Sequence, residues 1–168
     1  ARARVVAGWG CWTRAVGSDR GIEANGNMDG AVSSGCIEGG VVKEGLEAMQ
    51  TGRPRLVEYG VSDDMAWEEG LACGGRVRVF VEPLAPWRQL WQEAGRALAG
   101  SRACVISTRL DDGQKAIYVD GRSGAGPEVP GSPMAGLRPA LGGGPSPIFW
   151  ARGPGCFRSR PVPPPARS

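Results

Sequence analysis

Alternating and periodic apolar positions divide the first 121 residues into predicted strands and helices. The run "RVRVFVEP" (76–83) alternates arginine with valine or phenylalanine, which predicts a half-buried strand. Shorter apolar runs predict strands at 5–7 and at 55–61, "RLVEYGV". Pairs of short strands flank Asn25-Gly26 and Asp112-Gly113, dipeptides that favour two-residue turns, so two hairpins are predicted.

Two helices, each with one apolar face, are also predicted. The first runs from about Ile37 to Gln50, and Ser33 or Ser34 is expected to cap it. The second begins at Pro86 and continues to Ala99. This order of strands and helices predicts an α/β fold, in which a mixed β-sheet is flanked by helices in a single domain.

The composition changes abruptly after Gly121. Residues 122–168 hold 11 of the 14 prolines and 9 of the 28 glycines, without a strand or helix period. A segment of this composition cannot bury enough apolar surface to offset the entropy of ordering it. We therefore expect an ordered domain at 1–121 and a disordered tail at 122–168. Because Gly, Pro, Ala and Arg have GC-rich codons, an out-of-frame tail is an alternative origin.

Charge and cysteine usage exclude several classes of protein. The tail carries six arginines and one glutamate, whereas residues 1–121 hold 14 basic and 16 acidic side chains, so no nucleic-acid-binding surface is expected on the domain. No apolar run reaches the ~18 residues of a membrane span. Five cysteines without paired spacing favour a reducing cytoplasm over a disulfide framework. The absence of histidine excludes His-based triads and His metal sites.

The stretch "VSSGCIEGG" (32–40) carries the first candidate chemistry. A thiol at the first turn of a helix, here Cys36, has a lowered pKa and is a better nucleophile or metal ligand. The N–H groups at the same turn, left open by Gly35, form an anion site. The alternative is that Cys36 is a small buried apolar residue. Glu38 is a capping-box acid, a base for the thiol, or an exposed residue.

A second candidate is "LACGG" (71–75), which precedes the strongest predicted strand. The glycine pair Gly74-Gly75, after Cys73, lets the backbone approach a ligand or make a tight turn. Cys36 and Cys73 lie far apart in sequence, and neither belongs to a CxxC pair, so a zinc site is not expected.

Three stretches together resemble a known family. "WGCWTRAVGS", "GNMDGAVSSGCIEGGVVKEGLE" and "GRPRLVEYGVSDDMAWEEGLACGGRVRVFVEPL" are similar, in this order, to the N-terminal domain of the XdhC/CoxI family. The resemblance covers roughly residues 4 to 121. It implies a cytoplasmic accessory factor, not an enzyme, which binds the molybdenum cofactor (molybdopterin) as cargo. It further implies help in sulfuration of that cofactor and in its insertion into a molybdenum hydroxylase of the xanthine dehydrogenase or carbon monoxide dehydrogenase type.

The resemblance also implies a set of cofactor-binding residues and no catalytic ones. A molybdopterin carries a terminal phosphate and a dithiolene-bound metal, which suit glycine-lined N–H donors and a thiol. Cys36 is the expected metal ligand. The partners implied are a molybdenum hydroxylase apoenzyme and, as open possibilities, a cysteine desulfurase and a second copy of the chain. The expected cofactor-binding residues are Ser33, Ser34, Gly35, Cys36, Glu38, Gly39, Cys73, Gly74 and Gly75.

Three departures from the family pattern stand out. Cys11 and Trp12 occupy positions where small residues and proline are usual, and Ser34 replaces a glycine and crowds a ligand. The C-terminal Rossmann-like domain of typical members has no counterpart in the sequence. Two alternatives to the cofactor carrier therefore stay open. One is a thiol-dependent sulfur transferase or oxidoreductase that uses Cys36 with Cys73 as resolving thiol, and the other is an inactive truncated fragment.

Overall fold

The computed structural model describes most of the first 126 residues and one later strand. The described residues are 1–9, 15–33, 35, 37–60, 75–102, 104–120 and 122–126, with the backbone of 148–152. They belong to two compact units, Ala1–Pro86 with Leu110–Gly113 and Trp87–Arg109 with Gln114–Ser168. The mixed α/β class is confirmed, but the strands form two sheets where the sequence predicts one. Apolar patterns identify strands without indicating which strands pair, so this division is not visible in the sequence.

The first unit is built on a five-stranded antiparallel sheet and one helix. The strand order across the sheet is β3-β2-β1-β5-β4. The predicted Asn25-Gly26 hairpin is confirmed as β2–β3, and the φ of 85° at Gly26 is one that glycine adopts without strain. In chain order the elements are β1 (Arg2–Trp9), β2 (Asp19–Ile22), β3 (Met28–Gly30), α1 (Glu38–Thr51), β4 (Arg55–Gly60) and β5 (Arg76–Glu82).

One face of this sheet is covered by α1. The helix packs against β5, β1 and β2 and turns Val41, Gly45 and Ala48 inward. Gly45 allows a close approach, because a Cβ at this position would collide with the Cδ1 of Ile22. The helix ends at Gly52, whose φ of 68° and N–H bond to the Ala48 carbonyl form a left-handed cap. The core of the first unit therefore lies between α1 and one face of the sheet.

The second unit combines one helix with a four-stranded sheet. A 3-10 turn, Ala85–Trp87, leads into α2. The strand order is β8-β7-β6-β9, in which β9 pairs parallel to β6 and the other pairs are antiparallel. The predicted hairpin across Asp112-Gly113 is confirmed as β6–β7. The elements are α2 (Arg88–Ala99), β6 (Cys104–Arg109), β7 (Lys115–Val119), β8 (Arg122–Ser123) and β9 (Ile148–Arg152).

Lys115 is a charged side chain within the core of the second unit. Leu90 and Ala94 of α2 pack with Ile106 and Ile117 of the hairpin. Lys115 is fully buried at 0% exposure and stands opposite Thr108 in the β6–β7 register. Its Nζ donates to Thr108 Oγ1 at 2.9 Å and lies 5.9 Å from the centroid of the Trp91 ring. The ammonium group therefore has both a hydrogen-bond acceptor and an aromatic face within the core.

Two short strands lie in the segment for which the composition predicts disorder. β8 pairs with β7, and β9 pairs with β6. The rest of that segment lies outside the described residues, so its disorder and the domain boundary at 121 stay predictions. Within the described parts of the chain, no helix is long and apolar enough to cross a membrane.

Candidate functional site

The two segments that carry the candidate residues join the first sheet at different points along its strands. The register places Trp9 opposite Arg76 and Arg76 opposite Gly60, so β1 and β4 stop where β5 starts. β3 runs in the direction of β1, because each is antiparallel to β2. The chain after Gly30 therefore runs in the direction of the end that holds Gly75. Gly30 itself stands opposite Arg20, and Arg20 opposite Ala3, so it is level with Val81, five residues or about 17 Å along β5 from Arg76. We call the end that holds Trp9 and Gly75 the loop end of the first sheet.

Ser33 organises the loop between β3 and α1. Its side chain is buried, and its Oγ accepts the N–H of Gly35 at 3.1 Å and that of Ile37 at 3.5 Å. Its backbone N–H donates to Glu38 Oε1 at 3.0 Å, and its hydroxyl donates to Glu38 Oε2. Ser33 and Glu38 thus hold each other across the start of α1, in the reciprocal manner of a capping box. Of the three roles left open for Glu38, this geometry supports the capping role.

The serine does not stand at the cap position itself. Ile37 occupies the N-cap of α1 and makes no side-chain capping bond, whereas a capping serine is predicted from the sequence. Ser33 lies four residues earlier and reaches the helix start through its long bond to the Ile37 N–H. The spacing is larger because Gly35, with φ of 116°, adds a turn between the serine and the helix.

A buried arginine completes the network around Glu38. Arg20 of β2 is 8% exposed, and its Nη1 lies 3.1 Å from Glu38 Oε1. Its Nη2 donates to the Met28 sulfur at 2.9 Å. Burial by itself would raise the pKa of Glu38, but the hydrogen bonds from Ser33 and the charge of Arg20 outweigh it and lower the pKa. The carboxylate therefore stays ionised, and its charge is balanced by the arginine.

Glycines leave the surface of this loop open. Gly35 and Gly39 are exposed, and a Cβ built on either one meets no atom within 4 Å. The φ of Gly35 requires glycine, but Gly39 lies in the first turn of α1 with ordinary helical geometry. Neither backbone conformation nor packing against the described residues explains a glycine at 39, where it weakens the helix by roughly 1 kcal/mol relative to alanine. The N–H groups of this first turn lack partners within the helix.

The structure brings together only part of the predicted set of residues. Ser33, Gly35, Glu38 and Gly39 form one continuous site at the start of α1. Gly75 is buried directly before β5. The remaining predicted residues, Ser34, Cys36, Cys73 and Gly74, lie outside the described part of the chain. In the described ranges no group of three metal-ligating side chains occurs.

Sequence reasoning overlooked Arg20. The residue belongs to "DRGI", in which Arg20 and Ile22 share a face of a strand and are both buried. Residues two positions apart in a strand share a face, so an arginine two positions before an inward-facing isoleucine indicates a buried charge. A buried charge requires a partner, which here is the capping acid Glu38.

Comparison with known proteins relates this site to a family. Residues 1–60 match the family model described as the XdhC and CoxI family. Over 60 residues the chain is 33% identical to the uncharacterized protein YqeB of Escherichia coli (strain K12), a match that covers 36% of this chain and 11% of that protein. The fold is similar to a crystal structure of a xanthine dehydrogenase from Bacillus halodurans, with a TM-score of 0.67 and 26% identity over 82% of this chain and 43% of that one.

The fold, the site and the comparisons together indicate the class of this protein. The fold and the site define a small α/β protein with a glycine-bearing, hydrogen-bonded loop that opens a helix. The residues that form this loop and its Arg20 support all lie within residues 1–60, the range that matches the model of the XdhC and CoxI family. The chain spans less than half the length of the two relatives.

Proposed function

We propose that this chain binds the molybdenum cofactor as cargo at the loop that opens α1. In this role it acts in the cytoplasm and assists sulfuration of the cofactor and its insertion into a molybdenum hydroxylase. The family match supports the proposal, because it includes the whole loop. The similarity to a protein described as a xanthine dehydrogenase supports a hydroxylase of that type, and a carbon monoxide dehydrogenase-type hydroxylase follows from the resemblance alone.

The observation that carries the proposal is the open helix start at Gly39. An anionic cargo group can approach the N–H groups of the first turn, since no side chain at 39 covers them. The acid next to this position does not repel an anion, because Arg20 balances the charge of Glu38 at 3.1 Å. The phosphate of a molybdopterin is a ligand of the chemistry that this arrangement fits.

The test uses a side chain that covers the first turn without disturbing the fold. We expect Gly39→Leu to lose at least tenfold of the molybdopterin that co-purifies with the protein from a molybdenum-replete host, measured as the fluorescent oxidised pterin. Gly95→Leu is the matched control, because Gly95 is an exposed glycine within α2 that also has open space around it. Both variants should melt no lower than the parent, since leucine favours a helix over glycine. Equal retention in both variants would rule out the loop as the cargo site.

The proposed contact between Cys36 and the metal has its own test. Cys36→Ser removes the thiolate and keeps a small polar side chain. Retention of molybdopterin should fall if sulfur contacts the molybdenum, whereas a phosphate-dominated site would retain it. A persulfide on Cys36, or a Cys36–Cys73 disulfide, found by mass spectrometry would favour the sulfur transferase instead.

A further inference from the structure

A half-exposed tryptophan lies on the side of the first sheet that α1 does not cover. Val77 and Val79 of β5 belong to the core under α1, so the alternate residues Arg76 and Arg78 point to the opposite face. Trp9, at the last position of β1, is 44% exposed and stands opposite Arg76 in the register. We call Trp9, Arg76, Arg78 and Glu58 the Trp9 patch. It lies at the loop end of the sheet.

The indole of Trp9 is held in place by a guanidinium group. Arg78 Cζ lies 5.5 Å from the centroid of the Trp9 ring. Arg78 is itself fixed, because its Nε donates to Glu58 Oε2 at 2.7 Å. This pair balances its own charge and supports one side of the indole, so the ring is oriented before any ligand arrives. A fixed aromatic ring loses little conformational entropy when a second ring stacks on it.

Arg76 adds a positive charge to the patch, and Glu58 does not balance it because Glu58 pairs with Arg78. The side chain is exposed, and no carboxylate within the described residues forms an ion pair with it. Its stem lies over Gly60, where a Cβ would stand 2.7 Å from Arg76 Cγ. The patch therefore combines an oriented indole with a guanidinium group that is available to an anion.

We propose that Trp9 and Arg76 form a binding site for a planar heteroaromatic phosphate, either a pterin phosphate or a nucleotide. Base and pterin rings stack on an indole, and a guanidinium binds a phosphate through two parallel hydrogen bonds. The choice of a pterin rests on the proposed function, since the molybdenum cofactor contains one. A pterin phosphate at this patch is a second molecule, because the phosphate of the cargo is placed at the start of α1. The nucleotide alternative does not depend on the proposed function.

The experiment titrates the full chain with four probes by calorimetry. The probes are neopterin phosphate, 5′-GMP, uncharged guanosine and inorganic phosphate. We expect at least one heteroaromatic phosphate to bind tenfold or more tightly than guanosine or phosphate, and the stronger of the two identifies the source. Trp9→Ala and Arg76→Gln should each weaken it at least fivefold, and Trp9→Phe should retain most of the affinity. Leu84→Ala and Arg53→Gln, at exposed positions outside the patch, are the matched controls.

Several results would overturn the site. If inorganic phosphate binds with the same affinity as the nucleotide, the patch binds an adventitious ion only. If Trp9→Ala and Arg76→Gln leave the affinity unchanged, the ligand binds elsewhere. If neither heteroaromatic phosphate binds, and Trp9→Ala instead weakens capture of a xanthine dehydrogenase-type apoenzyme, the patch is a protein interface. If no probe binds but the protein still retains molybdopterin at the α1 loop, the Trp9 site is refuted and the proposed function is not. Success of the GMP probe without retained molybdopterin supports the site and refutes the proposed function.

Discussion

Glu38 shows how one residue can join three parts of the first unit. Its carboxylate accepts the N–H and hydroxyl of Ser33 and faces the guanidinium of Arg20, so it connects the loop, α1 and β2. Each of these bonds is charge-assisted and stronger than a neutral one. Because Arg20 is buried, removing the acid would leave a buried cation without its partner. The order of the candidate loop therefore depends on a single ionised group.

Two ionised carboxylates give the fold a dependence on acid pH. Burial would raise the pKa of Asp19, but hydrogen bonds and charge from Arg4 and Arg2 outweigh it and lower the pKa, as Ser33 and Arg20 do for Glu38. A folded-state pKa below the unfolded value means that the unfolded chain binds more protons. The stability from both groups is therefore fully present above about pH 4–5 and is lost as the pH falls through the folded-state pKa values.

We expect the urea midpoint to decrease steadily below about pH 4. Asp19→Asn and Glu38→Gln should each lower the midpoint at pH 7 and flatten its decrease in acid. Asp111→Asn, at an exposed position, serves as the control and should follow the parent curve. An unchanged slope in both variants would show that these ion pairs contribute nothing to the folding equilibrium.

Cys104 provides an internal standard for thiol reactivity. It is 1% exposed, and burial together with the negative charge of Glu93 raises the pKa of its thiol. We expect iodoacetamide to modify Cys104 only after denaturant is added, and Cys36 to react first in the native protein if its thiolate is stabilised at a helix start. Peptide mass spectrometry across a pH series measures both rates. Native labelling of Cys104 at the rate of Cys36 would contradict this.

The glycines of α1 serve different purposes. Gly45 faces the Cδ1 of Ile22, so its missing side chain lets α1 approach β2. Gly39 faces open space, so its missing side chain serves no contact within the described fold. The same residue type within one helix therefore marks a packing interface in one turn and an open surface in another.

We expect Gly45→Ala to destabilise the protein by about 1–3 kcal/mol, because overpacking exceeds the gain in helix propensity. Replacing Ile22 by valine removes the colliding Cδ1, so the double variant Gly45→Ala with Ile22→Val should recover part of the loss. Thermal melting of the two single variants and the double variant measures this coupling. If the Gly45→Ala protein is as stable as the parent, α1 and β2 can move apart at this contact without a loss of stability.

Local chemistry explains which elements could be predicted. Asn25-Gly26 and Asp112-Gly113 specify their hairpins within a few residues, and Ser33 with Glu38 marks a helix start within six. Arg20 lies 18 positions before Glu38, and no local pattern shows that the two meet. The division of strands between two sheets likewise depends on distant pairings. Long-range partners are thus the part of the fold and site that the sequence leaves unspecified.

The C-terminal segment is predicted from its composition to be disordered, but it contains β9, which pairs with β6. β6 has β7 on one side and β9 on the other, so a chain that ends at Gly126 leaves one side of β6 unpaired. We expect this truncation to lower Tm by more than a few degrees. A chain that ends at Arg152 keeps β9 and should melt close to the full-length protein. Equal melting of both truncations would contradict the pairing and favour disorder throughout the tail.

The buried Lys115 has a consequence for how the second unit avoids misfolding. Its ammonium group reaches Thr108 and the Trp91 ring only in the register in which Lys115 stands opposite Thr108. A slip of one residue would turn the lysine to the other face of the sheet and carry its neighbours with it. A charge displaced from these contacts within a core is strongly unfavourable. Lys115 therefore selects one alignment of the hairpin against its shifted competitors, whatever it adds to the stability of the native state.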